Sequence, residues 1–542
     1  MDTPSTASES IVSRTLIQLV GPFKQRATST SPGDFWLTLP IFATECAERF
    51  NFYGFTALLT LYFQQHLKYA TQQAAANFNF FQATCYCTPV LGSWLADQFL
   101  GKYRTIVYFT LLYLSGQLIL PFSSLLQIEM TLTKLLTFLS LFLIALGTGG
   151  IKPCVSAFGA EQVEWRHRIR VHCTATSSER NFSSNSLLSE DFDDNLDDVV
   201  LEQVSNGYPN DMTNTSVGAS LNTTIYFARF YLFINVGAIA GQLICPWTRQ
   251  VFGWSAAYFV SAIVLFLSLV TFLSGLHFTG YIHIQKKSST TLLHHIRNTI
   301  VRFSNRFFHN NEQNNNHSTT TRATEEWHCI VRISLLLSPI AIFWMCWSQQ
   351  GATWIQQLSL MEMPRIFNTE MSPAQWTAWN PFIVLLGVPI SAEWVYPRIQ
   401  KYTRWTSTDR IFLGMLLTCF AFVCSTIVQF QIQKVMPSKI SAWRTLPQWI
   451  LLSVGEILVS VSGLELAFAS APIQLKSTIQ AIWLLTSALG SLLAALSLEW
   501  FEWNYTYLFG YYSLCMFLAA LVFHRIVYLQ HSGEVSTTEE AS

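Results

Sequence analysis

Residues 35–63 read Phe35-Trp-Leu-Thr-Leu-Pro-Ile-Phe-Ala-Thr-Glu45-Cys-Ala-Glu48-Arg49-Phe-Asn-Phe-Tyr-Gly-Phe-Thr-Ala-Leu-Leu-Thr-Leu-Tyr-Phe63. The stretch is long enough to cross a bilayer, which takes about 20 mostly apolar residues. Yet it carries Glu45, Glu48 and Arg49 close together. A charge at the centre of a membrane helix costs about 2.5–3.5 kcal/mol on insertion scales. Charges kept at that cost belong inside a helix bundle, on a pathway for an ion or solute, rather than against lipid.

The remainder of the chain agrees. Of its 542 residues, 51% are hydrophobic and 12% are charged, where a soluble domain carries about 25% charged residues. An all-α polytopic membrane protein is expected. The formal net charge is zero, which gives no basic signal for nucleic acid. The 11 cysteines are scattered without metal-like spacing and read as free thiols. No metal, cofactor or enzyme chemistry is expected: nucleophile–base pairs, metal spacings and phosphate loops do not stand out. Residues 1–34 are polar and hold Arg14, Lys24 and Arg26, unlike a cleavable signal peptide.

Twelve apolar runs are long enough to span: 35–65, 76–97, 104–127, 133–160, 226–248, 255–281, 331–357, 374–399, 408–433, 446–470, 475–498 and 504–528. Lys102, Arg104, Arg398, Lys401, Arg404 and Arg410 lie in loops on one side, against Lys68, Lys134 and Arg365 on the other. The positive-inside rule then places both termini in the cytosol, with Lys434, Lys439 and Arg444 a modest exception. The expected organisation is a cytosolic tail (1–34), a six-helix bundle (35–281), a cytosolic linker (282–330), a second six-helix bundle (331–528) and a cytosolic tail (529–542). Residues 163–225 interrupt the first bundle; they open basic, turn acidic and Ser/Asn-rich, and are expected to be disordered. The N-x-S/T triplets at Asn181, Asn214 and Asn222 fall in this cytosolic insertion, so glycosylation there would overturn the orientation. Two six-helix halves suit repeats that rock about a midplane site.

The residues between the second and third runs, Gly92-Ser-Trp-Leu-Ala-Asp97-Gln-Phe-Leu-Gly101-Lys102-Tyr-Arg104, resemble the loop motif of the major facilitator superfamily. More specific resemblances follow: Glu45-x-x-Glu48-Arg49-Phe50 with Tyr53-Gly54, Gly147-Thr-Gly-Gly-Ile-Lys152-Pro153 through Gln162, and Phe230-Tyr231 with Asn235. The second half adds Phe343-Trp344 with Gln349-Gln350-Gly351, Asn380-Pro381 and Gly455-Glu456. Together they are similar to the proton-dependent oligopeptide transporter family. The resemblance implies a major facilitator fold and proton-coupled symport of di- and tripeptides by alternating access, with the proton as coupling ion.

On a helix, Glu45 and Arg49 share a face, as do Glu45 and Glu48. Ionising two neighbouring carboxylates together is costly in low dielectric. One is therefore a candidate proton carrier while Arg49 holds the other charged. The resemblance places Lys152 near these glutamates and near the peptide's carboxylate. Protonating a glutamate would then loosen its hold on Lys152 and free that cation for substrate. It assigns Glu456, with Asn380, to the peptide's ammonium end. Tyr53, Tyr86, Tyr231, Asn235 and Trp483 join the substrate-binding set by the same resemblance. Glu465, nine residues beyond Glu456, faces roughly the opposite side of its helix and is set aside.

The chain departs from the family pattern at Thr56 and Ser348, where peptide-transporting members often carry Arg and Asp, and at Asn79, where animal members carry His. Losing both members of a charge pair leaves no orphan, so the change reads as compensated. A neutral residue at the first position is also a feature of histidine/peptide and plant nitrate branches. A transporter of another small solute, or a non-transporting peptide sensor using the acidic insertion, are the competing readings. The expected setting is a monomer in a lipid bilayer, in the plasma membrane ahead of a lysosomal one, since no acidic dileucine signal stands out.

Overall fold

A computed structural model of the chain describes residues 32–125, 129–180, 212–279, 329–366, 369–403, 405–469, 476–500 and 504–540. Six long helices form the first half: α1 (Pro32–Leu61), α2 (Thr71–Leu95), α3 (Gly101–Leu125), α4 (Met130–Arg180), α5 (Met212–Phe252) and α6 (Trp254–Thr279). In the second half the seventh traverse, Cys329–Ser359, is broken. It contains α7 (Ile340–Trp347), a 3-10 turn (Ser348–Gly351) and α8 (Thr353–Ser359). The eighth contains α9 (Trp379–Ile390), a π turn and α10 (Tyr396–Gln400). Then come α11 (Ser407–Val435), α12 (Leu446–Ala469), α13 (Lys476–Trp500) and α14 (Tyr505–Glu540). A two-stranded hairpin, β1 (Arg365–Ile366) with β2 (Thr369–Glu370), joins the seventh and eighth traverses.

Among the described residues, ten traverses are long and apolar enough to be membrane spans by composition alone. The remaining two are α1 and α2. The first holds Glu45, Glu48 and Arg49, and the second is studded with Gln and Asn. The protein is an integral, multi-pass membrane protein. Its two least lipid-compatible helices face inward: Glu48 and Asn79 are fully buried, whereas Phe142, Leu267 and Phe420 on other helices are exposed to the lipid side.

Within the first half, α1 packs on α5 and α6, and α4 on α2 and α3; within the second, α11 packs on α12 and α14. The halves meet along α2–α13 and α5–α9. Lipid tails are as apolar as the side chains, so close backbone approach drives membrane helix packing. The α1–α5 crossing shows it: a Cβ at Gly237 would collide with the Cys46 carbonyl, and one at Gly241 with that of Phe50. Between α2 and α3 the chain turns at Gly101, whose φ of +72° suits glycine.

The insertion differs from the expected disorder at both described ends. Helix α4 runs on to Arg180, and α5 begins at Met212. Residues 161–180 contain neither Pro nor Gly. A helix already nucleated in the membrane continues through such a stretch at little cost, because propagation lacks the nucleation penalty. Residues 181–211 of that insertion, most of the linker 282–330 and residues 1–31 lie outside the described residues.

Each half also carries an ion pair between its third and fourth helices. Lys102 at the start of α3 pairs with Glu161 on α4. Arg410 at the start of α11 pairs with Glu465 on α12 at 2.8 Å. Glu465 is thereby taken up away from Glu456, as its angular position on the helix indicates.

Candidate functional site

Helix α1 aligns its three charges toward the interior. Arg49 Nε lies 3.0 Å from Glu45 Oε1, and Arg49 Nη2 lies 2.5 Å from Glu48 Oε2. All three side chains are almost wholly buried. One guanidinium therefore serves two carboxylates and leaves the trio one negative charge in excess. The second oxygen of Glu48 is buried without a hydrogen-bond partner.

Lys152 on α4 is the nearby cation, half-buried and open to the interior. The expected hold of a glutamate on Lys152 is not formed. Among the described residues no ion pair joins Lys152 to Glu45 or Glu48. Its ammonium instead stands over two rings, 4.4 Å from the centroid of Phe52 and 4.6 Å from that of Tyr86. The cause lies in α1: Arg49 is on the same helix as both glutamates and takes them at short range, whereas Lys152 must reach across from α4. The aromatic faces stabilise an ammonium by about 0.5–2 kcal/mol without consuming its hydrogen-bond donors. Lys152 is thus held against two rings, and among the described residues no carboxylate takes its N–H donors.

Across the interior, Glu456 on α12 is half-buried. Asn380, at the start of α9, donates to Glu456 Oε2 at 2.7 Å and to Ser453 Oγ at 3.2 Å. Among the described residues no ion pair neutralises Glu456. Tyr86 lies under the Lys152 ammonium, and Tyr53 lines the same lobe as Asn380. Asn235 donates to the Tyr231 carbonyl one turn back at 2.9 Å. Trp483 has a different setting: it is buried, packed on Gly463 and edge-on to Trp344 with centroids 6.1 Å apart. Its ring is taken up by packing inside the second half.

A small lobe opens between the halves, lined by α1, α2, α5, the broken seventh traverse and the start of the eighth. It includes Tyr53, Thr56, Gln82, Gln242, Ser348 and Asn380. The sequence reading left Phe52, which seats Lys152, out of the site residues and missed Gln82 and Gln242 of this lobe. Their spacing carries a signal: Gln82 is four residues before Tyr86, and Gln242 two helical turns beyond Asn235, so each shares a face with a chosen residue.

Hydrogen bonds between the two halves, among the described residues, gather at one end of the molecule. Thr60 donates to the Gly351 carbonyl at 2.5 Å, Gln250 to that of Glu370 at 3.0 Å and Gln375 to that of Leu243 at 3.1 Å. Gln356 donates to the Thr71 carbonyl. Each donor is neutral and each acceptor is main chain. Thr56 and Ser348 take no part in this closure, since their hydroxyls donate to their own helices, at Phe52 and Met345.

Comparison with known proteins places this geometry. The sequence pattern of the POT family matches residues 103–514. Solute carrier family 15 member 1 of Rattus norvegicus is 30% identical over 440 residues, covering 76% of this chain and 54% of the relative. Peptide transporter family 2 of Caenorhabditis elegans is 28% identical over 427 residues, covering 74% and 48%. The chain therefore spans about half the length of the curated relatives it matches. Among solved structures, an auto-inhibited POT family peptide transporter aligns with a TM-score of 0.69 at 21% identity, covering 91% of this chain and 97% of that one. The POT family transporter PepTSo aligns at 0.67 and 23%, covering 93% and 99%. These likenesses establish the twelve-helix, two-bundle major facilitator fold.

Proposed function

This chain belongs to the POT family, and from that premise we propose that it is a proton-coupled symporter of di- and tripeptides working by alternating access. One observation carries the reading. Lys152 on the first half and Glu456 on the second are opposite charges, both half-buried, and among the described residues neither is neutralised by an ion pair. A zwitterion with a carboxylate at one end and an ammonium at the other has the charges that complement both.

Charge counting supplies the coupling. Glu45, Glu48, Arg49 and Lys152 sum to zero. A peptide carboxylate arriving at Lys152 leaves this region with one excess negative charge in a low-dielectric interior, which is costly. A proton on the glutamate pair restores neutrality. The two carboxylates share one guanidinium, so the proton belongs to the pair rather than to a named residue. At the other pole, the peptide ammonium neutralises Glu456 directly. Proton and peptide thus stabilise each other's binding, which is the condition for symport. The proton acts here without Lys152 being released from a glutamate, unlike the expectation from sequence.

The distribution of Lys and Arg supports placing the tied end outside and both termini in the cytosol. The closure by Thr60, Gln250, Gln356 and Gln375 is then an outer gate, and this conformation is shut toward the exterior. The plasma membrane is the proposed location, and a monomer the proposed unit, since both binding poles come from one chain.

The test is uptake by the purified chain in liposomes under an inward proton gradient, with dialanine, histidine and nitrate offered separately. Accumulation of dialanine is expected. Transport of histidine or nitrate without dialanine would refute the peptide reading.

A further inference from the structure

Two neighbouring glutamines on α8 serve different halves of the molecule. Gln357 is wholly buried and tied into its own half. Its amide nitrogen donates to the Ser425 carbonyl at 3.0 Å and to Gln429 Oε1 at 3.2 Å, both on α11, and its oxygen accepts from Gln448 on α12 at 3.2 Å. Gln356 points elsewhere, because successive residues of a helix are turned by about 100°. It reaches across to the first half and donates to the Thr71 carbonyl. Its oxygen accepts from the hydroxyl of Tyr505, the first residue of α14.

Chemistry fixes the orientation of the Gln356 amide. The Thr71 carbonyl only accepts, so the amide nitrogen must face it and the amide oxygen must face Tyr505, whose hydroxyl donates. Tyr505 is itself set in place. Its ring stacks on Phe509 with centroids 5.9 Å apart. The next residue, Thr506, donates from its hydroxyl to Gln433 Oε1 on α11 at 3.0 Å and from its main-chain N–H to Asn504 Oδ1 at 3.1 Å. With the Tyr505 donor removed, the amide is free to turn over and set its oxygen against the Thr71 carbonyl, where no hydrogen bond forms.

We propose that Tyr505 is a positioning residue for the closure between the halves: its hydroxyl holds Gln356 in the one orientation that can donate to Thr71. The proposal takes the opening and closing of this end from the alternating-access reading above. Gln357 keeps α8 with the second half, so the bond that breaks when the halves part is the one from Gln356 to Thr71. Tyr505 stays with Gln356 and keeps the donor aimed for the return. A donor ordered in advance loses less freedom when its bond reforms.

The experiment is a pulsed-EPR distance measurement between spin labels at Ala70→Cys on the first half and Tyr507→Cys on the second. Both positions are exposed beside the closure, and the native cysteines are replaced by serine. Tyr505→Phe keeps the ring and is expected to raise the long-distance population relative to the short one by about 2- to 10-fold, the weight of one hydrogen bond. Gln356→Ala is expected to do at least as much. Tyr505→Phe should add nothing to Gln356→Ala, because it acts only through that amide. An unchanged distribution in Tyr505→Phe, or its full effect repeated on the Gln356→Ala background, would overturn the proposal. Gln356→Glu carries the test should Tyr505→Phe not fold. It still accepts from Tyr505 but has no N–H for Thr71, so it should open as Gln356→Ala does, and a closed distribution would overturn the oriented donor. If the populations shift as expected while the wild-type chain takes up no dialanine, the transport reading fails and the positioning role stands.

Discussion

Arg49 and Lys152 show how two cations in one interior take different work. Arg49 sits on the helix that carries Glu45 and Glu48 and binds both, while Lys152 faces rings and keeps its donors open. Glu456 is the anion proposed to match it, and accepts an amide N–H from Asn380. Replacing it by Gln keeps the Asn380 contact within reach of an amide oxygen but removes the charge-assisted bond to an ammonium. That bond is worth about 1.5–3 kcal/mol, so Glu456→Gln should raise the dialanine KM roughly 10- to 100-fold; an unchanged KM would exclude Glu456 from the ammonium pole. Thr56 and Ser348 allow a second test at this scale. Thr56→Arg alone places an unpaired charge where the side chain is 5% exposed, and a buried charge without a partner costs about 3–5 kcal/mol. Adding Ser348→Asp should recover much of the lost thermal stability. If the double variant is no more stable than the single one, the two positions are not coupled.

At the level of helices, the sequence located what hydropathy controls and missed what packing controls. Ten traverses stand out among the described residues by length and apolar composition, while α1 and α2 are long but carry charged and amide side chains, and the spacing of Glu45, Glu48 and Arg49 puts them on one helical face without further information. The partner of Lys152 is different in kind: it depends on how α4 docks on α1 and α2, which no local pattern records. The same holds for the neighbours of Trp483, whose ring lies against Gly463 and edge-on to Trp344. The helical ends of the 163–225 insertion were hidden by its composition, since charge and Ser content describe solvation rather than backbone state. The small-residue crossing of α1 and α5 gives an element-scale prediction. Gly237→Val collides with the Cys46 carbonyl, and overpacking of that sort costs about 1–3 kcal/mol. Its Tm in detergent should fall clearly. Gly510→Ala, where nothing lies within 4 Å of the added methyl, should hold or raise Tm, as alanine favours helix by about 1 kcal/mol. Equal Tm values for the two variants would contradict the close crossing.

For the whole molecule, neutral side chains donating to main-chain carbonyls join the two halves at one end. Each such bond is worth about 0.5–1.5 kcal/mol. Removing two of them, in Gln356→Ala with Gln375→Ala, should shift the closed-to-open balance by roughly 5- to 100-fold. Labelling of a cysteine placed in the lobe beside this closure would report it as faster modification, and unaltered labelling would rule out a gate there. The orientation itself predicts no glycan at Asn181, Asn214 or Asn222 in a eukaryotic host, and an endoglycosidase shift mapped to any of them would invert the topology. The central claim is that Lys152 couples the peptide carboxylate to a proton on the glutamate pair. The most direct test is dialanine accumulation under an inward proton gradient by liposomes carrying the wild-type chain or Lys152→Ala at matched protein density. The account predicts accumulation above equilibrium in the first and none in the second. Proton-driven accumulation by Lys152→Ala at the wild-type level would contradict it.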